Sequence, residues 1–413
     1  MGIKRIEVKN FKSFKDLKVD LGQFNVLIGA NASGKSNFSS IFQFLSDITT
    51  IGLVNAISQQ GGVEYLKNMK AETSDEVKIK VILNVGFTIQ QGMNGKPFNI
   101  EGTETTYEFV LGELRRFSEF EVKYENLEIK SKFKSGNETI CDHGKIIISR
   151  SNKEVKVWLE PKSLNDAIDK EEIFPFILMR DLIRNGPLPK TLLIEEPFFT
   201  SLLPLRSFFN KISIYDFDPK LAKKAVPFTG KAELESDGSN LPIVLRGIIE
   251  DHDKKRKFLN ITKNLLPFVE SLDVKELATK PAIFIKEHYF DDSYIPASLI
   301  SDGTINITAL IVALYFEKKP FIIIEEPERN IHPHLISRVV EMMKDASRQK
   351  QILVTTHNPE FVKHAGIENL LLVSRDKDGF STISRPAEKE EIKTFLKNDL
   401  GIEELYIQNL LDI

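Results

Sequence analysis

Eight residues near the start of the chain have the types and spacing to hold a row of phosphates. Gly29-Ala30-Asn31-Ala32-Ser33-Gly34-Lys35-Ser36 fits the pattern G-x-x-x-x-G-K-[ST]. Glycines let backbone N–H groups close on phosphate oxygens, and a helix starting at the lysine adds the positive end of its dipole. The Lys35 ammonium has the length to reach β- and γ-phosphates, and the Ser36 hydroxyl is a hard oxygen ligand for Mg²⁺. The pattern carries this meaning only between a strand and a helix. Both are legible: Phe24-Asn25-Val26-Leu27-Ile28 reads as a strand buried on both faces, and Lys35 to Leu45 as an amphipathic helix.

A second apolar run, Phe321-Ile322-Ile323-Ile324, ends in two adjacent carboxylates, Glu325 and Glu326. Neighbouring strand residues point to opposite faces, but the chain turns at a strand end, so both can serve one site. The expectation is that Glu325 joins the Mg²⁺ shell and Glu326 polarises an attacking water. Leu192-Leu193-Ile194-Glu195-Glu196-Pro197 repeats the spelling, and Ser236-Asp237-Gly238-Ser239 resembles Ser301-Asp302-Gly303-Thr304. Order separates the copies. Only after Ser301 do a helix, an apolar strand and the Glu pair follow in turn, so the earlier copies read as structural.

Ser301 opens a helix over Ile305 to Phe316, where a plain N-cap is the simple role. Gln351-Ile352-Leu353-Val354-Thr355 is a third buried strand, and it runs out into Thr356-His357-Asn358. His357 stands where a side chain just past a strand end can reach a γ-phosphate.

Taken in order, these segments resemble the ABC-type ATPases of the RecF, SMC and overcoming-lysogenisation-defect (OLD-like) group of prokaryotic AAA proteins. Gly29 to Ser36 is similar to Walker A, Ile300 to Thr304 to a degenerate signature motif, Ile324 to Pro327 to Walker B, and His357 to the switch histidine. Arg329-Asn330-Ile331-His332-Pro333 takes the D-loop place, and Val8 to Phe14 is similar to the group's first strand, whose basic residue lies near the nucleotide. The resemblance covers about residues 1–70 and 280–385. It implies ATP and Mg²⁺ as cofactors. The implied nucleotide set is Lys12, Gly29, Asn31, Ala32, Ser33, Gly34, Lys35, Ser36 and Asn37, with Ser301, Asp302 and Gly303. Ser36 and Glu325 are the implied metal ligands, and Glu326 and His357 the catalytic pair.

Asp302 stands where transporters carry Gly, Glu325 replaces the usual Walker B Asp, and His332 replaces the D-loop Asp. The first two departures are common in the group and argue against a transporter subunit. No Q-loop glutamine is assigned; Gln59 and Gln60 are candidates. In such enzymes ATP is sandwiched between two heads, so one motif set per chain implies a homodimer. The implied role is an ATPase controlling a separate effector (nuclease- or toxin-like) or clamping DNA, with defence against phage as the setting. The alternative is a RecF-like repair or chromosome-maintenance ATPase, and a transporter ATPase comes third. Only 56 residues follow His357, and Asp376 to Gly379 reads as a hairpin turn, so no TOPRIM nuclease chemistry is expected here.

The elements that must position these residues sit at both ends of the chain. The fold class expected is α/β: a P-loop NTPase head of ABC type, with an antiparallel β-meander and an inserted α-helical lobe. The boundaries are 1–160 for the N-terminal half-head with P-loop and meander, 161–280 for the helical lobe, and 281–413 for the C-terminal half-head. The meander is read from Val77–Val81, Tyr107–Val110, Phe120–Val122, Ile146–Ile148 and Val155–Trp158. With 56 basic against 59 acidic residues among 413, the chain is no globally basic nucleic-acid coat, and any DNA surface must be local. Lys254-Lys255-Arg256-Lys257 is flanked by Asp251 and Asp253 and reads first as a solvated helix face. The single cysteine, Cys141, excludes an intrachain disulfide framework. No apolar stretch reaches membrane-spanning length, and the first residues lack a signal-segment pattern, so a cytoplasmic protein is expected.

Overall fold

The computed structural model describes residues 2–70, 76–84, 86–93, 96–114, 119–136, 138–151, 154–164, 189–196, 204–227, 231–277, 280–290, 293–397 and 400–412. The helical lobe expected over 161–280 therefore falls partly outside the described residues, above all at 165–188 and 197–203; within them, Pro204–Asn210 is a helix. Contacts divide the chain into two compact units, each built from segments distant in sequence.

The first unit takes Met1–Gly22, Ala32–Ile212 and Ser374–Ile383. Its frame is an antiparallel sheet that runs through Phe14–Asp20, Gly2–Phe11, Val77–Asn84, Lys96–Leu114, Glu119–Ser135, Glu138–Ser151 and Glu154–Glu160, with Phe87–Met93 paired to Lys96–Leu114. Strict alternation sets which face is buried: Val77, Ile79, Val81 and Leu83 point inward, and the lysines between them do not. The helix Lys35–Ile51 packs by phenylalanines. Phe38 meets Phe14 at 6.3 Å and Phe42 at 5.3 Å between ring centroids, and Phe44 meets Phe11 at 6.0 Å. Each such pair contributes about 0.5–1.5 kcal/mol beyond burial. The helix that follows the phosphate loop is thereby fixed to the opening strands.

The earlier Glu-Glu copy belongs to this unit and is a structural anchor. Leu193–Glu195 is a short 3₁₀ turn. The backbone N–H of Leu193 donates to both oxygens of buried Glu125, at 2.9 and 2.8 Å, and the Tyr107 hydroxyl donates to Glu125 at 2.7 Å. Glu195 in turn accepts from the N–H of Leu53, at the head of the helix Leu53–Gln59.

The second unit takes Gln23–Asn31, Ser213–Val373 and Ser384–Ile413. At its centre Ile212–Tyr215, Phe321–Glu325, Gln351–Thr355, Phe24–Ile28 and Leu370–Arg375 lie side by side in that order. The pairings of Phe321–Glu325 with Gln351–Thr355, and of Phe24–Ile28 with each of its neighbours, are parallel. Such strands are covered on both faces, which is why Phe24–Ile28 and Gln351–Thr355 are buried throughout. One cover is the helix Asp302–Tyr315, buried from Thr304 to Leu314. Val269–Leu277, Lys280–Glu287 and Tyr294–Pro296 form a separate antiparallel sheet. Two of these strands, Ile212–Tyr215 and Val269–Leu277, lie where the sequence suggested helix. Among the described residues no helix is long and apolar enough to cross a membrane.

Candidate functional site

The register of the parallel sheet decides where the chemistry collects. Glu325 pairs with Thr355, and Thr355 with Leu27. Three strands thus end level, and from that edge emerge Glu326, the segment Thr356-His357, and the loop starting at Gly29. Carboxyl ends of parallel strands are where open α/β sheets bind ligands. The backbone N–H of Glu326 still donates to Thr355 O at 2.8 Å, while its φ of 43° swings the chain out of the strand. A left-handed conformation at a non-glycine residue costs of order 1–3 kcal/mol and concentrates at functional positions. It breaks the alternation that would send Glu325 and Glu326 to opposite faces.

Glu326 is held by one guanidinium and faces an imidazole at a longer distance. Arg329 Nη2 donates to its Oε2 at 3.1 Å, and His357 Nε2 is 3.9 Å from Oε1. Glu328, two residues on, receives the Thr356 hydroxyl and the backbone N–H of His357. Burial raises the Glu328 carboxyl above the usual carboxylate range, with those two hydrogen bonds pulling the other way. Its second oxygen is buried without a hydrogen-bond partner. Sequence reasoning assigned nothing to Glu328, nor to Tyr406, whose hydroxyl takes a hydrogen bond from the Gly29 backbone and is raised by burial.

Ser301 makes the cap expected of it. Its Oγ accepts from Thr304 N at 3.2 Å and lies 2.8 Å from Thr304 Oγ1. Asp302 is ion-paired with Lys223, so the first turn of this helix carries a neutralised carboxylate. A Cβ on Gly303 would stand 2.4 Å from Asn330 O, and Asn306 Nδ2 donates to Pro327 O at 3.2 Å and Arg329 O at 2.7 Å. The Ser301 helix is thus seated directly on the loop that follows Glu326.

The remainder of the phosphate loop belongs to the first unit. The helix Lys35–Ile51 begins at Gly34, φ 124°, with no side chain capping it and no acidic residue in its first turn. That leaves an N-terminus suited to an anion. Lys35 is buried, and the buried Ser33 hydroxyl has no hydrogen-bond partner, a donor matched to a phosphate oxygen. Asn37 donates to Ser13 Oγ at 2.8 Å. Lys12, φ 47° and half-buried, lines a cavity of about 410 Å³ with Gln60, Tyr65, Lys67, Lys70, Arg375 and Phe380. Burial lowers its ammonium from the usual lysine range, which a nearby phosphate would offset. Of the two glutamine candidates, Gln60 lines this cavity.

Mg²⁺ carried by a nucleotide takes hard oxygens, and the Ser36 hydroxyl and the Glu325 carboxylate are each of that kind. Among the described residues no three His, Cys, Asp or Glu side chains cluster to hold a metal by themselves. A serine hydroxyl and one carboxylate, completed by phosphate oxygens and water, is the hard-oxygen set such an ion takes.

The comparisons with known proteins fall on these residues. Residues 24–363 match the family described as "AAA domain, putative AbiEii toxin, Type IV TA system". The chain belongs to this AAA family. Its fold is that of a P-loop ATPase head of ABC type. An "ATP/GTP phosphatase" of Helicobacter pylori is 21% identical over 391 residues, spanning 91% of this chain and 89% of that one. The Septu protein PtuA of Bacillus mycoides is 26% identical over 139 residues, or 30% of this chain and 20% of that protein. A solved SMC head bound to the C-winged helix domain of ScpA superposes with a TM-score of 0.50 over 93% of this chain and 98% of that one. At 15% identity that likeness speaks for the fold alone. The AAA family's matched span includes the phosphate loop, the Glu325-Glu326 strand and His357.

Proposed function

We propose that the chain binds ATP with Mg²⁺ at Gly29–Ser36 and hydrolyses it. The observation that carries this is the common level of Leu27, Thr355 and Glu325, which starts the phosphate loop on the edge that presents Glu326 and His357. Backbone N–H groups from Gly29 to Lys35 and the Lys35 ammonium bind the phosphates, with Lys12 flanking them. Ser36 and Glu325 would hold Mg²⁺, which would supply charge neutralisation at the phosphates. Glu326 takes a proton from the attacking water as the new P–O bond forms and the bond to the leaving ADP oxygen breaks. His357 donates a hydrogen bond to the γ-phosphate. The nucleoside lies toward the cavity walled by Tyr65 and Phe380.

In this reading ATP joins two copies. Ser301, Asp302 and Gly303 of one chain face the γ-phosphate bound by the other, so hydrolysis parts them. The switch controls a separate effector protein, and the toxin–antitoxin wording of the family supports a defence setting. The ion pairs of Lys254 with Asp251 and Arg256 with Asp253 favour the effector over a DNA clamp, since they partly neutralise the basic run.

The test is Glu326→Gln, followed by phosphate release and by light scattering on a sizing column. Lost turnover with an ATP-trapped dimer is expected; a variant that stays monomeric with ATP sinks the sandwich. DNA binding at low salt, tightened by ATP, would replace the effector with a clamp.

A further inference from the structure

The hairpin at 374–383 lies far from the phosphate loop in sequence, yet it holds that loop from outside. Arg375 donates to the Ala32 carbonyl through Nε at 3.1 Å and Nη2 at 2.9 Å, and through Nη1 to Gly379 O at 2.7 Å. Ser381 Oγ is 2.5 Å from Ser33 O and 2.8 Å from Ser13 Oγ. A hydroxyl has one proton; given to the carbonyl, it leaves Ser13 to donate the second bond, while Asn37 donates to Ser13. The hairpin turn is itself braced: Asp376 Oδ1 accepts from the N–H groups of Asp378 at 3.0 Å and Phe380 at 2.8 Å. At Gly34 a Cβ would come within 2.3 Å of Ser381 Oγ, so the glycine is required by the hairpin as well as by its φ of 124°.

Peptide planarity gives these contacts a direction. In a trans peptide the carbonyl of one residue and the N–H of the next point opposite ways. Drawing the Ala32 and Ser33 carbonyls toward the hairpin turns the N–H groups of Ser33 and Gly34 the other way, as donors for phosphate. Ala32 pays a steric cost for this, because its φ of 60° is left-handed at a residue with a Cβ. An unheld loop would relax away from that conformation.

We propose that Arg375 and Ser381 are positioning residues for nucleotide binding, a clamp that holds Ala32 and Ser33 in the phosphate-binding conformation. The inference rests on the reading that Gly29–Ser36 binds ATP, and the experiment separates the two. Titrate a fluorescent, slowly hydrolysed ATP analogue with Mg²⁺ against the full chain and its Lys35→Ala, Arg375→Ala, Arg375→Lys and Ser381→Ala variants. Alongside, measure ATP turnover and thermal unfolding without nucleotide. Wild-type binding lost in Lys35→Ala upholds the site. Against that control, Arg375→Ala is expected to weaken binding and raise KM about tenfold or more, with kcat at saturation changed less than about threefold. Arg375→Lys, keeping one donor, recovers part of the loss. Ala32→Gly in the Arg375→Ala background recovers about fivefold, because glycine adopts the left-handed conformation without strain. If Arg375→Ala melts early, Ser381→Ala carries the test alone. Wild-type affinity in every clamp variant that folds overturns the clamp and leaves the site standing. Equal binding by wild type and Lys35→Ala overturns both.

Discussion

Arg329 and Glu326 form an ion pair, Nη2 to Oε2 at 3.1 Å, while the other arm of Arg329 reaches Asp216 Oδ1 at 2.8 Å. The carboxylate proposed to activate water is thus tethered through a guanidinium to the loop after the edge strand Ile212–Tyr215. All three side chains are partly exposed, so the pairs are worth at most about 1 kcal/mol each. Their influence is on direction more than on stability. Arg329→Ala is expected to lower kcat for ATP about tenfold and change KM less than about twofold, since Arg329 touches Glu326 and not the phosphate loop. Asp216→Ala should do the same more weakly. Steady-state kinetics with a double-mutant cycle measure the coupling; additive effects mean that Asp216 does not act through Arg329.

Glu328 ties the His357 segment to the loop after Glu326 through the Thr356 hydroxyl and the His357 N–H. Glu328→Ala removes both acceptors and is expected to cost about tenfold in kcat. Glu328→Gln retains an acceptor and, with the carboxyl already pushed toward its neutral form by burial, should keep most activity. Equal loss in both variants would mean that the charge, not the acceptor, matters.

Gly303 leaves no room beside the Asn330 carbonyl. Gly303→Ala must displace backbone, at a cost of about 1–3 kcal/mol from overpacking. Urea unfolding followed by fluorescence reads it as a lower midpoint with an unchanged slope. A neutral result would show that the Ser301 helix can slide on the loop.

Burial raises Glu125 to about 7, with bonds from Leu193, Tyr107 and Ile194 and the Arg150 charge opposing. The unfolded chain ionises this carboxyl near 4.5, so between about pH 4.5 and 7 the unfolded state binds fewer protons than the folded one. Stability from this group is therefore full below that window and falls as pH rises through it, by on the order of 3 kcal/mol. Glu125→Gln should flatten that part of the stability–pH curve. A wild-type curve no steeper than the variant's from pH 5 to 7 contradicts the assignment.

The motifs were legible because their chemistry is local. A strand, a glycine loop and a helix follow one another without interruption at Phe24–Ile51, and the Glu pair and His357 each end an apolar run long enough to read. Val269–Leu277 was missed because its apolar residues, Val269, Leu272, Val274 and Leu277, step by three, two and three, a spacing between the helix and strand periods. Ile212–Tyr215 is four residues long, too short for any period to show. Arg375, Ser381, Glu328 and Tyr406 were invisible for another reason. Each meets backbone N–H or carbonyl groups of a segment brought near only by folding, and those groups have no letter in the sequence. The repeated Glu-Glu spelling at Glu195 was separable by order alone, and Glu125 and Leu53 now give its physical role.

The strand that leads into the phosphate loop is hydrogen-bonded on one edge to Ile352–Thr355 and on the other to Leu370–Leu372. Both neighbours are encoded about 330 residues after it, some 15–65 seconds later at typical synthesis rates. Until then a strand with four apolar residues in five waits on the ribosome with both edges bare, a template for wrong pairing and a natural client for chaperones. A prematurely terminated product cannot assemble the loop's supporting sheet. The late arrival of those strands acts as quality control: the sheet that carries the phosphate loop closes only after residues 351–372 have been made.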